Sequence, residues 1–172
     1  RTNFIKYGNV ISIESSKEKT SINSGWTDKF DKLSSYKSND PQFSKPIFSI
    51  FRGLKRPKPF SINMLECHPL ASQAFMPLNG NDWLIVVCND KNGEPELDNI
   101  RCFSAKSNQG INYFPGVWHH PLITLEDGQC FLVLERDNSN DNNSENLIEC
   151  HFNDILIYPF LYKSINMILF NS

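Results

Sequence analysis

The sequence predicts a mainly β protein, an antiparallel sandwich or barrel with minor helical content. Eight glycines and ten prolines cut the chain into short runs. Those runs are rich in β-branched and aromatic residues, and the turns between them are too short for helical crossovers. One run, Trp83-Leu84-Ile85-Val86-Val87-Cys88, is apolar at every position, the pattern of a strand covered on both faces.

Taken in order, residues 24–38 lack a strand pattern and are the place for irregular or short helical structure. Residues 48–51 form a short β-former run after Pro46. Ala74-Phe75-Met76-Pro77-Leu78 and the 83–88 run flank Asn79-Gly80, a dipeptide that predicts a hairpin between them. Residues 100–105 read as a strand. Gln109-Gly110 then turns into residues 111–114, and Pro115-Gly116 turns again. Residues 130–135 form a further buried strand entered through Asp127-Gly128. Residues 137–146 (DNSNDNNSEN) are polar and low in complexity, an expected exposed and mobile loop. The domain is expected over residues 1–152, with 153–172 an extension that has no obvious place in a barrel.

Bulk properties narrow the function. A chain of 172 residues, 40% hydrophobic and 21% charged, fits one soluble domain with a real core. A formal charge of −2 argues against a nucleic-acid binder. The basic residues Arg52, Lys55, Arg56 and Lys58, with Pro57 and Pro59, read as a solvated loop. Five cysteines, an odd number without C-x-x-C spacing, exclude a disulfide framework or zinc knuckle and point to a cytoplasmic setting. Cys88, Cys102 and Cys130 read as small buried hydrophobes. Cys67 neighbours His68 and would be reactive there, but strand alternation sends the two side chains to opposite faces. No signal peptide is visible, and residues 155–170 are too short and too interrupted to span a membrane. The chain begins with Arg1, so a few leading residues are expected to be missing.

The chemistry concentrates in two stretches. Gly116-Val117-Trp118-His119-His120-Pro121 sets two imidazoles side by side, groups suited to moving protons or holding metal near neutral pH. Only one of His119 and His120 can face a given pocket, and the pattern does not say which. Trp118 shares a side with His120. About fifty residues earlier, Glu66 and His68 fall two apart, on one side of a strand, with Gln73 on the next arm. This E-x-H-x₄-Q spacing resembles the ligand pattern of cupin barrels, H-x-H followed by a carboxylate. Glu66 and Gln73 substitute oxygen donors that suit a divalent ion but weaken zinc-type binding. A structural polar cluster at a barrel mouth is the alternative. Arg52 either clamps a carboxylate or lies on the surface. Glu135-Arg136 forms either an internal ion pair or a substrate contact.

At these residues the chain resembles the ureidoglycolate lyases of allantoin breakdown, enzymes of purine and nitrogen metabolism. The matching segments are Phe4-x-x-Tyr7-Gly8-x-Val10-Ile11, His68-Pro69-Leu70-x-x-Gln73-Ala74-Phe75-x-Pro77-Leu78, Gln109-Gly110-x-Asn112-Tyr113, Trp118-His119-His120-Pro121-Leu122 and Arg136. They cover about residues 4–152. The Asn-rich loop after Arg136 and the residues after Phe152 depart from the family pattern.

The resemblance implies a cupin-like β-barrel, commonly homodimeric, that splits (S)-ureidoglycolate into glyoxylate and urea. It implies no redox cofactor and no nucleic-acid or membrane partner. On this expectation His119 or His120 takes the hydroxyl proton, while His68 and Glu66 act as acid or as metal ligands. Arg52 clamps the carboxylate, Gln73 and Tyr113 hydrogen-bond the ureido group, and Trp118 is a further substrate contact. Glu66, His68, Gln73 and His119 are the ligand set for a divalent ion such as nickel or manganese. Two rivals are an iron-dependent dioxygenase of the cupin type and a non-catalytic cupin that binds small carboxylates.

Overall fold

A computed structural model describes residues 4–40, 45–139 and 146–158. Its strands are β1 (Gly8–Ile11), β2 (Lys19–Ile22), β3 (Thr27–Phe30), β4 (Pro46–Gly53), β5 (Phe60–Cys67), β6 (Gln73–Pro77), β7 (Trp83–Cys88), β8 (Asp90–Lys91), β9 (Glu94–Pro95), β10 (Arg101–Ala105), β11 (Gly110–Tyr113), β12 (Trp118–His119), β13 (Ile123–Thr124), β14 (Gln129–Arg136) and β15 (Ile148–Ile157). Helix is confined, among the described residues, to three single 3-10 turns at Ile13–Ser15, Asn23–Gly25 and Leu97–Asn99. None is long or apolar enough to cross a membrane.

Two antiparallel sheets face each other, ordered β1-β11-β6-β14-β4 and β10-β7-β12-β5-β15. β12 and β13 both pair with β7 and are one strand broken near Pro121, which lacks the N–H a ladder needs. His120 N still donates to Val86 O across the break, at 2.9 Å. Numbered along the chain from β4 to β14, the eight barrel strands run 1-8-3-6 in one sheet and 2-7-4-5 in the other. This is the jelly-roll order of cupins, so the expected architecture is present.

That order corrects one expectation. β6 and β7 flank Asn79-Gly80 yet lie in different sheets, so the turn is an arch between sheets and not a hairpin. β14 holds it there: Cys130 N donates to Asn79 Oδ1 at 2.7 Å, and Gln129 Nε2 donates to Asn81 O. Long-range pairing outweighed the local hairpin signal.

Strand alternation explains the apolar run on β7. Trp83, Ile85 and Val87 point between the sheets and pack with Phe75, Ile111 and Phe131. Leu84, Val86 and Cys88 point the other way, into a second core with Phe60, Leu65 and Trp118 on the outer face of the β5-β7 sheet. Ile100, Phe152 and Ile155 help to cover that face.

β15 therefore has a structural job that its sequence did not announce. It pairs with β5 through Ile157, with a register shift between His151 and Ile155, and so runs across the expected boundary at residue 152. The rest of the expected extension, from residue 159 on, lies outside the described residues. In the 24–38 stretch a 3-10 turn leads into β3, which pairs with β2 as a hairpin. Of the polar 137–146 loop, residues 140–145 are outside the described residues. Asn146, expected to be exposed, is buried.

Candidate active site

β5 carries Glu66 toward the barrel interior and Cys67 into the outer core. His119 on β12 lies directly opposite Glu66 in the ladder, so the two side chains share a face. Gly116, at φ +80°, makes the turn before β12, and its N–H donates to His68 O at 2.9 Å. A side chain there would strain the backbone, which accounts for glycine at this position. Together these contacts tie the two sequence-distant stretches into one site.

Glu66, His68 and His119 converge, with one ligand atom from each lying within 4.8 Å of the others. His119 Nε2 is 3.3 Å and His68 Nε2 3.9 Å from Glu66 Oε1. Neither makes a well-formed hydrogen bond, and both nitrogens are buried without a partner. The opposite nitrogens are committed. His119 Nδ1 donates to Val117 O and His68 Nδ1 to Asn146 O, each at 2.8 Å. These bonds commit Nδ1 on each ring, so Nε2 presents a lone pair to the carboxylate when the ring is neutral and an N–H when it is charged. The Tyr113 ring stacks on His119 with centroids 4.2 Å apart and 20° between planes.

The electrostatics follow from this geometry. Burial pushes the Glu66 carboxyl up, but contacts with His119 and His68 outweigh it and bring the pKa down to about 2. Burial pushes His68 down, yet Glu66 and the Asn146 carbonyl leave it raised above its ordinary value. Two imidazole nitrogens and a carboxylate facing one another need a proton or a cation among them. The donor set suits a divalent first-row ion.

Other expected site residues divide by face. Gln73 is buried and lines a small crevice with His68 and Arg136. His120 leaves the cluster: its Nδ1 donates to Pro121 O at 2.7 Å and its Nε2 accepts from Arg56 Nη1 at 3.3 Å. Trp118 packs in the outer core, with Nε1 donating to Asp90 Oδ1 at 3.0 Å. Arg52 is exposed and lies over Gly128, because alternation on β4 gives the inward places to Ser49 and Phe51. Cys67 is not activated; burial raises its thiol to about 11. A cavity of about 520 Å³ lies elsewhere, floored by Ile85, Phe103 and Ile111, and includes none of the cluster residues.

One neighbour of the cluster escaped the sequence reading, and another was left open by it. Asn146 was assigned to a solvated loop, yet its backbone carbonyl anchors His68 and its side chain accepts from Leu70 N. Glu135, left open as an ion pair or substrate contact, accepts from Gln73 Nε2 at 3.0 Å. Its place two residues after Val133 on an alternating strand was the available signal.

A jelly roll with a carboxylate and two imidazoles gathered inside it defines a cupin-type protein. The comparisons narrow that class. The ureidoglycolate lyase family model matches residues 1–157. A ureidoglycolate lyase of Pseudomonas putida is 42% identical over 142 residues, covering 83% of each chain. One from Pseudomonas syringae pv. syringae is 43% identical over 142 residues, 83% of this chain and 82% of the other. One from Brucella anthropi is 40% identical over the same length and shares. Among solved structures, a 3,4-ketoisomerase from Helicobacter canadensis aligns with TM-score 0.42 and 14% identity, over 82% of this chain and 89% of that one. This chain belongs to the ureidoglycolate lyase family.

Proposed function

We propose that this chain cleaves (S)-ureidoglycolate into glyoxylate and urea, in the breakdown of allantoin. The observation that carries the reading is the convergence of Glu66, His68 and His119 inside the barrel of a chain from this family. The substrate carries a hydroxyl, a carboxylate and a ureido nitrogen on one carbon. His119 Nε2 accepts the hydroxyl proton and the C=O bond forms as the C–N bond breaks. His68, whose raised pKa suits a proton donor, protonates the departing urea nitrogen. Glu66 stays ionised between them and stabilises whichever ring is charged. Tyr113 holds the His119 ring in place by stacking. No electrons change hands.

A divalent ion such as nickel or manganese fits the same atoms, because both Nε2 lone pairs are buried and unpartnered beside a carboxylate. Glu66, His68 and His119 would hold it, and it would lower the pKa of a hydroxyl bound to it. Arg136, buried and bordering the same crevice as His68 and Gln73, is the cation assigned to the substrate carboxylate in place of Arg52, with its Nη1 also donating to Asn138 Oδ1 at 2.9 Å. Two imidazoles and one carboxylate also match the ligand set of oxygen-activating iron enzymes. That is the second reading, and the family likeness weighs against it.

Two finer statements belong to the same proposal. The protein is a homodimer, supported by Phe48 (73% exposed) and Ile50 (59% exposed) on the outer face of edge strand β4. It works in the cytoplasm, supported by five cysteines that are all free thiols.

The test is a coupled assay for urea and glyoxylate on purified protein, with and without chelator, alongside oxygen uptake. Equimolar urea and glyoxylate without oxygen consumption is the expected result. Untouched ureidoglycolate would end the proposal. Chelator resistance assigns the cluster to proton transfer, and chelator sensitivity assigns it to an ion.

A further inference from the structure

Glu135 has no part in the reaction as written, yet both of its carboxylate oxygens are engaged inside the barrel. Ser49 Oγ donates to Oε1 at 2.7 Å and Gln73 Nε2 donates to Oε2 at 3.0 Å. A carboxylate only accepts, so Gln73 must turn its NH₂ toward Glu135 and its carbonyl oxygen away. That oxygen, Gln73 Oε1, belongs to a residue only 7% exposed and has no hydrogen-bond partner. A buried acceptor left unpaired is costly, and in a binding site it marks the place where a ligand donor goes. Gln73, Glu135 and His68 line one crevice, which puts this acceptor beside the cluster.

We infer that Glu135 is a positioning residue that locks Gln73 as a hydrogen-bond acceptor, and that Gln73 Oε1 receives an N–H of the substrate's ureido group. The inference rests on the lyase reading and adds its specificity device. An acceptor fixed at this point favours a ureido nitrogen and rejects an analogue that offers an oxygen instead, because two acceptors would then face each other unpaired. Gln73 supplies the contact, and Ser49 and Glu135 determine which end of its amide faces the ligand.

The decisive variant is Glu135→Gln. With Ser49 Oγ still donating to it, the new amide turns its NH₂ to Gln73, and Gln73 then flips to present NH₂ to the crevice. Inhibition by each product is measured separately, with KM, kcat and Tm alongside. Urea inhibition and KM for ureidoglycolate should weaken about tenfold or more, as for a site whose polar group is mispaired. Glyoxylate inhibition, kcat and Tm should stay near wild type. The double swap Gln73→Glu/Glu135→Gln restores an acceptor to the crevice and should regain most of the urea inhibition.

Equal weakening of urea and glyoxylate would reduce Glu135 to a structural role and overturn the inference. So would unchanged urea inhibition in Glu135→Gln, or a fall in bound divalent metal with urea affinity intact. Calorimetric titration with urea alone needs no turnover. A wild type that binds urea but does not release it from ureidoglycolate sinks the lyase reading, while the E135Q comparison still decides the role of Glu135.

Discussion

The inner and outer faces of the β5-β12-β7 sheet are built from neighbouring residues and do opposite work. Glu66 and His119 point inward, where His119 Nε2 has no hydrogen-bond partner and faces the carboxylate. Cys67 and Trp118, each one residue away, point outward into an apolar core where their polar atoms have no chemical task. His120 is also outside the cluster, with its Nε2 taken by Arg56. One-residue alternation thus separates a polar cluster from an apolar core. Substitutions on the inner face should remove activity and leave the fold, while those on the outer face should do the reverse.

The largest effect falls on the inner face. His119→Ala and His68→Ala should each lower turnover about 10²–10⁴-fold, the usual contribution of a positioned acid or base. Circular dichroism should show both variants folded at 25 °C. Near wild-type turnover in both would remove them from the mechanism. On the outer face, Trp118→Ala deletes the indole from the core around Leu65 and Cys88. It should cost about 3–5 kcal/mol of stability, with a fall in Tm on the order of 10 °C. Turnover per folded molecule should hold within about twofold at 25 °C. A Trp118 variant as stable as wild type but catalytically dead would dissolve the division between the faces.

Much of this division could be read in advance, for a physical reason. Alternation is local, so Glu66 with His68 on one side and Cys67 on the other follows from strand geometry. The apolar 83–88 run likewise announced two buried faces. What the sequence did not carry was long-range pairing. Asn79-Gly80 has the chemistry of a hairpin but serves as an arch, because β14 holds it from outside. The half of β15 beyond Phe152 looked like an appendage because its partner β5 lies some ninety residues earlier. Which adjacent histidine enters the site was undecidable until Glu66 appeared opposite His119 in the ladder. Asn146 was hidden because a polar loop gives no local sign that its last residue turns inward to hold His68.

Two histidines on opposite sides of the comparison should also respond oppositely to pH. Burial, opposed by the Pro121 carbonyl, holds His120 at about 4 against an ordinary 6.5. The folded protein therefore binds this proton less readily than the unfolded chain. The stability it contributes is present above pH 6.5 and is lost as pH falls toward 4, up to roughly 3 kcal/mol at about 1.4 kcal/mol per unit. His68 is raised, so its contribution is present below pH 6.5 and is lost as pH climbs through its folded value. Tm measured against pH for His120→Gln should show a flatter acid limb between pH 6.5 and 4. His68→Gln should leave that limb alone and flatten the alkaline side. An unaltered acid limb in His120→Gln would mean that this ring titrates normally in the folded protein.

The smallest expected effect concerns Arg52, the cation the sequence suggested for the substrate carboxylate. It lies on the outward side of β4 while Ser49 and Phe51 face in, and no rotamer brings an outward residue through a packed sheet. Arg52→Ala should change kcat/KM less than about twofold and stability by within about 0.5 kcal/mol, as for an exposed position. Arg136→Gln, by contrast, removes a buried guanidinium beside Gln73 and His68 and should raise KM for the carboxylate-bearing substrate. The pair contrasts an exposed arginine with a buried one that borders the crevice at the opposite end of the neighbouring strand. If Arg52→Ala lost more than about tenfold while Arg136→Gln did not, the substrate would approach from the outer side of the β4 sheet. The inner cluster would then be a structural knot instead of a reaction centre.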